Sequence, residues 1–298
     1  MITDPGFYPD MPIDEYHSDP CPAPSLTQSI AKIILDRSPL HAWHEHPRLN
    51  PSFERNTEFR FDLGTAAHAM LIGRGKTIEP IPYENYLTKA AKAAREELAA
   101  AGKQAVTMPQ YERALAMTNA AVEQLNDFEH GSIMFNSAFG DGEIVMAWQE
   151  DGFWFRQMID FLSTDRRLFV DYKTTDQNAA PQNLGKLMHN AGWPIQAAMA
   201  QRGLDVLSPN TAGLRRYLFV VQEATPPFAL QVCEMSGPVL QMGRKALDMA
   251  ASIWLPCLRA NDWPAYPLLV QRPELPQWAE SQWLEREIAH HEREQGDV

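Results

Sequence analysis

Apolar residues recur at helical spacing in several stretches of the chain, and turn-forming residues separate these stretches. Leu26, Ile30 and Ile33 predict a helix that begins at Ser25-Leu26-Thr27-Gln28, which has the form of a capping box, and ends at Ser38-Pro39. The same spacing predicts further helices at about 62–73, 85–101, 107–125, 181–202, 237–260 and 275–295.

From residue 142 onward the pattern becomes typical of β-strands. Residues 142–150 and 152–162 are rich in β-branched and aromatic residues and flank Asp151-Gly152, which predicts a tight hairpin turn. A third strand is predicted at 168–175, followed by a helix and by strands at 215–223 and 228–235. The order helix, three strands, helix, strand predicts an α/β fold.

The same patterns predict how the chain is divided. Residues 1–24 carry many prolines and acidic residues and are expected to form an irregular N-terminal arm. Residues 25–265 are expected to form a single domain, with a helical insertion at about 76–130. A C-terminal tail helix is expected within residues 266–298.

Composition narrows the class of protein. The 298 residues are 45% hydrophobic and 21% charged, which is typical of a globular protein rather than a disordered one. The formal net charge of −12 argues against a general nucleic-acid coat protein, but it leaves room for a local basic groove or an acidic metal site. The chain shows no secretory signal, no apolar run of membrane-spanning length and no paired cysteines, so a cytoplasmic protein without membrane contact is expected.

The strands place charged residues among apolar ones. Side chains alternate along a strand, so Asp171 and Lys173 share one face, and the neighbouring strand brings Asp160 beside them. Two adjacent carboxylates repel each other unless a cation lies between them, and oxygen ligands suit Mg²⁺ or Mn²⁺. The alternative is a solvated strand face with a salt bridge, but charge within such apolar strands favours a functional site.

Histidines provide further candidates for metal ligands. His68 follows Gly64 by one helical turn, and a lone helical histidine is more often a half-buried structural residue than a ligand. His41, His44 and His46 do not share one helix face, and we expect them at the surface or in a loop.

Taken together, these motifs resemble the PD-(D/E)XK nuclease superfamily. The run Gly64-x-x-x-His68, a hairpin ending in Asp160, the motif Val170-Asp-Tyr-Lys-Thr174 and a helix with Gln196 follow one another as in that superfamily. Within it, the chain resembles the exodeoxyribonuclease VIII (RecE) type, which is related to RecB-like nucleases and phage λ exonuclease. The resemblance implies a restriction-endonuclease-like core, in which helices flank a central mixed sheet.

The resemblance also implies roles for individual residues. It makes the side chains of His68, Asp160 and Asp171 and the backbone carbonyl of Tyr172 the metal ligands. It places Lys173 at the scissile phosphate or the attacking water. Gln196 matches the first position of a Q-x-x-x-Y motif, whose tyrosine position holds Ala200 here. The residues implied to hold the 5′-phosphate of DNA are Ser25, Ser29 and Arg37.

The function implied is a Mg²⁺-dependent exodeoxyribonuclease, with Mn²⁺ able to substitute, that degrades linear double-stranded DNA in the 5′→3′ direction during phage-type homologous recombination. A single-strand annealing protein is the implied partner, and relatives form ring-shaped homo-oligomers around DNA ends. Two alternatives remain open: an endonuclease or nickase with the same metal site, or a non-catalytic protein that binds DNA ends or docks a partner. Trp278 and Trp283 are expected in core packing or in a subunit contact.

Overall fold

The computed structural model of the protein describes residues 1–53 and 63–296, so Asp62, the predicted start of one helix, lies outside them. Its elements follow in this order: β1 (Gly6–Tyr8), α1 (Ile13–His17), β2 (Ser25–Leu26), α2 (Gln28–Asp36), α3 (Pro39–His44), α4 (Leu63–Ile72), β3 (Ile78–Ile81), α5 (Lys89–Ala100), β4 (Gln104–Thr107), α6 (Met108–Asn126), β5 (Gly140–Glu150), β6 (Phe153–Ser163), β7 (Leu168–Thr175), α7 (Pro181–Ala191), α8 (Trp193–Leu207), β8 (Arg216–Glu223), β9 (Leu230–Glu234), α9 (Gly237–Ala260) and α10 (Gln277–Gly296).

A mixed β-sheet forms the centre of the fold, as predicted. Among the described residues it has seven strands, in the order β1-β5-β6-β7-β8-β9, and β2 pairs with β6. Strands β7 and β8 run parallel and are connected through α7 and α8, whereas β5, β6 and β7 are antiparallel neighbours. A parallel pair needs such a crossover connection, whereas an antiparallel pair can be joined by a two-residue turn.

Helices cover both faces of the sheet, because the inner strands are apolar on both sides. Phe169 and Phe219 pack on one face with residues of α2, α8 and α9. Val170 and Tyr172 pack on the other face with residues of α4 and α6. The charged residues predicted within these strands therefore lie inside a three-layer α/β fold.

The predicted helix at 181–202 is in fact two helices. Gly192 ends α7 with φ of +74°, a left-handed conformation that glycine adopts without steric cost, and Pro194 stands in the first turn of α8. The prediction of one continuous helix was wrong, because spacing alone did not register this Gly-to-Pro boundary.

The predicted capping box at Ser25 is also wrong. Thr27 is the N-cap of α2, and its Oγ1 accepts a hydrogen bond from the backbone N–H of Ile30. Ser25 instead lies in β2, is fully buried and pairs with Trp154 of β6. Pairing with the sheet therefore overrides the local capping signal.

The N-terminal arm is not irregular. It contains β1, which pairs with β5, and the short helix α1. Ile2, Tyr16 and Cys21 are buried against Val145 and Trp154 of the sheet. Residues 1–24 therefore extend the core, although their proline and acid content predicts a loop.

The insertion at about 76–130 is helical only in part. Beside α5 and α6 it contains β3 and β4, which form a separate two-stranded parallel sheet. Helix α6 begins with a capping box between Thr107 and Gln110.

Residues 1–265 form one compact unit and residues 266–298 form another. The second unit contains α10, on which Trp278 and Trp283 are 69% and 59% exposed, so these residues do not pack in a core. Among the helices of the described residues, none is long and apolar enough to cross a membrane.

Candidate active site

The register of three neighbouring strands places three carboxylates in one row. Gly142 pairs with Phe161 and Ile144 with Ile159, so Glu143 of β5 stands opposite Asp160 of β6. Phe161 in turn pairs with Val170, which makes Asp171 of β7 the next position opposite Asp160. We call Glu143, Asp160 and Asp171 the carboxylate row. Equivalent positions on adjacent strands are close enough for their side chains to interact.

The strands β6 and β7 separate at this row. Their backbone pairing ends at Phe161 and Val170, and the backbone N–H of Tyr172 donates instead to Asp160 Oδ2 at 2.8 Å. The carboxylate of Asp160 therefore takes the place of a strand partner. The separation opens a cavity of about 360 Å³ that is lined by the carboxylate row and by His68, Lys173 and Gln196, among others.

Helix α4 places His68 beside the carboxylate row. Its Nε2 lies 3.2 Å from Asp160 Oδ2, and its Nδ1 lies 3.8 Å from Glu143 Oε1. Gly64, one turn earlier, is buried. His68 is thus placed between two carboxylates, as a metal ligand or a proton-bearing group requires.

Lys173 and Gln196 surround Asp171. Lys173 Nζ forms an ion pair with Asp171 Oδ1, and Gln196 Nε2 donates a hydrogen bond to Asp171 Oδ2. Gln196 lies in α8, and its own backbone carbonyl accepts a hydrogen bond from Gln157. Ala200, one turn further along α8, is fully buried. The sequence-predicted residues His68, Asp160, Asp171, Lys173 and Gln196 therefore all line one cavity.

The side chain of Tyr172 points away from this cavity. Its phenol hydrogen-bonds to Gln222 on the opposite face of the sheet, and its ring packs in the core beneath α4 and α6. Its peptide group lies beside Asp160 through the N–H contact described above. Metal ligation by the Tyr172 carbonyl stays a prediction.

Burial and mutual repulsion set the protonation of the row. Burial, together with the negative charge of Asp160, raises the pKa of Asp171 to about 7. Burial also raises the pKa of Glu143. Burial alone would raise the pKa of Asp160 as well, but His68 and Lys173 outweigh it and hold that pKa below its ordinary value.

The pKa values of the two basic residues, His68 and Lys173, are raised by the neighbouring carboxylates. Burial would lower the pKa of His68, but the carboxylates of Asp160 and Glu143 raise it above its ordinary value. Burial would likewise lower the pKa of Lys173, and Asp171 and Asp160 raise it. Lys173 is therefore a protonated ammonium at neutral pH.

The donor set fits a divalent cation such as Mg²⁺ or Mn²⁺. It offers carboxylate oxygens on three neighbouring strands, and the side chain of Asp171 is only 1% exposed, so its negative charge needs a cation nearby. Within residues 1–53 and 63–296, no three His, Cys, Asp or Glu side chains are already arranged as a metal site. The prospective ligands are bonded instead to protein cations: Asp160 to His68, and Asp171 to Lys173.

The three residues predicted to hold a 5′-phosphate do not come together. Ser29, in the first turn of α2, lines the cavity. Ser25 is buried and bonded to Asp19, and Arg37 lies at the opposite end of α2, paired with Glu45 at 3.0 Å. The prediction for Ser25 and Arg37 is therefore wrong as a shared phosphate site with Ser29, because β2 buries the first and α2 separates the second.

A buried polar network supports the wall of the cavity. Asp19 bonds Arg156 at 2.7 Å, His46 at 3.3 Å and the Ser25 backbone N–H at 2.9 Å. His46 lies in the loop after α3, as one part of the expectation had it, but it is fully buried rather than at the surface. Arg156 lines the cavity, and its ion pair with Asp19 fixes the position of its side chain.

Glu143 is the functional candidate that the sequence patterns missed. It lies directly on the row and has φ of +47°, which is uncommon for a residue with a side chain and is concentrated at functional sites. A signal was present: Asp151-Gly152 forms the predicted hairpin, and counting outward from that turn places Glu143 opposite Asp160.

Comparison with a family model identifies the fold and the family of the chain. Residues 41–268 match the family model described as a PDDEXK-like domain of unknown function. The chain therefore has the fold of the PD-(D/E)XK nuclease superfamily. Within that superfamily, it belongs to the PDDEXK-like family of unknown function, DUF3799.

A solved structure shares this fold. The crystal structure of a candidate exonuclease from Eubacterium rectale superimposes with a TM-score of 0.56 at 11% identity, over 89% of this chain and 96% of that one. At this identity the likeness concerns the fold. A search of curated proteins found no match to this chain.

Proposed function

We propose that the protein is a metal-dependent nuclease that degrades linear double-stranded DNA from its ends with 5′→3′ polarity. One observation carries this proposal. The carboxylate row, His68 and Lys173 line a single cavity at the point where β6 and β7 separate, on a fold of the PD-(D/E)XK superfamily.

The carboxylates of Asp160 and Asp171 are the proposed ligands of Mg²⁺, together with His68 and the Tyr172 carbonyl. Glu143 lies next to this proposed metal position, because the β5–β6 register places it opposite Asp160. When bound, such a cation polarises a phosphoryl oxygen and lowers the pKa of a water molecule. Mn²⁺ prefers similar oxygen-rich sites and is expected to substitute.

Lys173 supplies fixed positive charge beside the reacting phosphate. Its side chain is 26% exposed and lines the cavity from the strand that carries Asp171. Negative charge grows on the phosphoryl oxygens in the transition state, and a positioned cation stabilises it there. General acid–base help from one side chain gives only about 10²–10⁴-fold, so the electrostatic contribution is essential.

Gln196 and His68 position the acidic groups. Gln196 holds Asp171 Oδ2 through its amide, which fixes the orientation of this carboxylate toward the cavity. His68 Nε2 lies 3.2 Å from Asp160 Oδ2, and a protonated His68 must release its proton before this nitrogen can act as a ligand.

Ser29 supports recognition of a DNA end. It lies in the first turn of α2, where backbone N–H groups favour a phosphate, and it faces the same cavity as Lys173. A terminal phosphate held at this place would present the first phosphodiester bond to the carboxylate row.

The proposal includes a ring-shaped homo-oligomer that encloses DNA and hands a 3′ single strand to an annealing protein. A ring reconciles a formal net charge of −12 with DNA binding, because it concentrates a few basic side chains in one channel. Arg166, Arg167 and Lys186 are candidates for that channel.

Digestion of matched DNA substrates tests the activity and its polarity. The protein is incubated with Mg²⁺ and either a linear 5′-phosphorylated duplex or the same DNA as a closed circle, and in separate samples the 5′ or 3′ end carries the label. We expect loss of the linear form alone, with early release of the 5′ label as mononucleotide.

The other possible results distinguish the alternatives. Equal loss of circular and linear DNA indicates an endonuclease, and conversion of supercoiled to open circles indicates a nickase. Retention of both DNA forms together with binding of the linear duplex indicates a non-catalytic end-binding protein. Early release of the 3′ label contradicts the proposed polarity.

A further inference from the structure

A second groove lies directly beside the carboxylate row. It has a volume of about 470 Å³ and runs between residues 9–14 of the N-terminal arm and the loop 73–77 that follows α4. Glu143 lines both this groove and the catalytic cavity, so the two are neighbours along β5. A molecule that occupies the cavity and continues past Glu143 enters this groove.

Two basic side chains of the loop face acidic residues of the arm across the groove. Arg74 Nη1 lies 3.1 Å from Asp10 Oδ1, and Lys76 Nζ lies 3.2 Å from Asp14 Oδ2. All four side chains are more than 40% exposed. Ion pairs this exposed contribute at most about 1 kcal/mol each and exchange readily with other partners.

The loop is fixed in place although its charges are exposed. A Cβ on Gly142 would lie 2.9 Å from Ile72 and 3.3 Å from Arg74 Cγ, and a Cβ on Gly75 would lie 3.4 Å from Glu143 Oε1. The loop therefore packs closely against the edge of β5 next to the row. The backbone of this loop, from which Arg74 and Lys76 extend, is therefore held beside the catalytic cavity.

We propose that Arg74 and Lys76 bind the phosphate backbone of the duplex substrate, and that Asp10 and Asp14 occupy these cations until DNA replaces them. The inference rests on the proposed nuclease function. It assigns the groove as the surface that binds DNA on one side of the catalytic cavity. Arginine binds phosphate through two parallel N–H bonds and lysine binds it as a point charge, so both suit this role. The arm carboxylates restrict the exchange to strongly anionic ligands.

Binding of a fluorescently labelled 20-base-pair duplex in EDTA, measured by anisotropy over a series of salt concentrations, tests the groove without requiring cleavage. The double substitution Arg74→Gln/Lys76→Gln is expected to weaken binding at least about fivefold. It should also make the slope of log affinity against log salt shallower by about 1.8, from two lost phosphate contacts. Asp10→Asn/Asp14→Asn is expected to bind about two- to fivefold more tightly, because two competing carboxylates are removed.

Arg216→Gln/Lys245→Gln is the matched control, since it removes the same charges from β8 and α9, outside the groove. Equal binding by this control and by Arg74→Gln/Lys76→Gln would overturn the proposal, as would unchanged or weaker binding by Asp10→Asn/Asp14→Asn. The second variant keeps the test valid if the first one does not fold. If the wild type cleaves DNA while the groove variants bind as it does, the groove assignment fails and the nuclease function stands. Absence of both cleavage and binding contradicts both.

Discussion

Asp160 and Asp171 stand side by side but have opposite electrostatic environments. Asp160 accepts a hydrogen bond from a backbone N–H and lies beside His68. Asp171 is only 1% exposed, and burial together with the charge of Asp160 raises its pKa to about 7. A carboxylate with a raised pKa binds a proton that the unfolded chain has already released. When both carboxylates are ionised in the metal-free protein they repel each other, and a bound cation relieves this repulsion.

This difference predicts opposite effects of two similar substitutions on the stability of the metal-free protein at pH 8. Because the pKa of Asp171 is raised, its contribution to the free energy of unfolding falls as pH rises from about 4 to about 7, so Asp171→Asn should raise the melting temperature by roughly 2–4 °C. The pKa of Asp160 is lowered, so its contribution is present above its unfolded pKa and is lost as pH falls, and Asp160→Asn should lower the melting temperature. Calorimetry in EDTA measures both, and shifts of the same sign would contradict this assignment of charge.

The same pKa values predict how Mg²⁺ binding depends on pH. Below about pH 7, a cation must displace the proton of Asp171, so the apparent affinity should fall roughly tenfold per pH unit for each proton released. The raised pKa of His68 adds a second proton to this exchange. Titration calorimetry in two buffers of different ionisation enthalpy counts the protons. A Mg²⁺ affinity that stays constant between pH 5.5 and 8 would rule out Asp171 as a ligand.

The β5–β6 hairpin is the element that aligns the row. Its turn residues Asp151 and Gly152 both have left-handed φ, of +50° and +81°, and they fix the register that sets Glu143 opposite Asp160. A shift of this register by one residue would move Asp160 to the other face of the sheet.

The same glycine-to-alanine substitution at two positions tests the conformation of the hairpin turn. Gly152→Ala forces a side chain into the left-handed region and should lower the free energy of unfolding by about 1–2 kcal/mol. Gly185→Ala lies within α7 in open space and should leave stability unchanged or raise it by about 0.5–1 kcal/mol. Urea denaturation measures both. Equal losses would mean that the turn conformation has no special role.

The hairpin, the three consecutive strands and helix α9 could be predicted because their patterns are local. Alternation and turn residues gave the strands, and the faces of Asp160, Asp171 and Lys173 followed from them. The start of α2 could not be found in this way, since the pairing of Ser25 with β6 depends on a residue far along the chain. The burial of His46 could not be found for the same reason: its partner Asp19 belongs to an arm whose composition predicted a loop.

At the scale of the whole molecule, exposed apolar side chains are concentrated at the C-terminal end. Nine of the 21 large apolar side chains exposed among the described residues lie in residues 266–298, including Trp278, Trp283 and Ile288. Such a density of exposed apolar surface is typical of an interaction site. Of the two expectations for Trp278 and Trp283, the subunit contact is the one that remains as a proposal.

Removal of these aromatic side chains should therefore weaken self-association. Trp278→Ala/Trp283→Ala is expected to shift the protein toward the monomer in light scattering coupled to size exclusion, because aromatic residues contribute much of the binding energy in protein interfaces. Met242→Ala/Met249→Ala, at positions of similar exposure on α9, is the control and should leave the oligomeric state unchanged. A wild type that is already monomeric at micromolar concentration would contradict the proposed ring.

The carboxylate row is proposed to hydrolyse phosphodiester bonds with the help of a divalent cation. The most direct measurement is the rate of nucleotide release from linear duplex DNA in Mg²⁺, compared among the wild type, Asp171→Asn and Asp248→Asn, the last being an exposed carboxylate on α9 outside the site. Asp248→Asn is expected to retain the wild-type rate, Asp171→Asn to lose at least about 100-fold, and EDTA to abolish release. Wild-type release by Asp171→Asn, or release that persists in EDTA, would rule out metal-dependent hydrolysis at the carboxylate row.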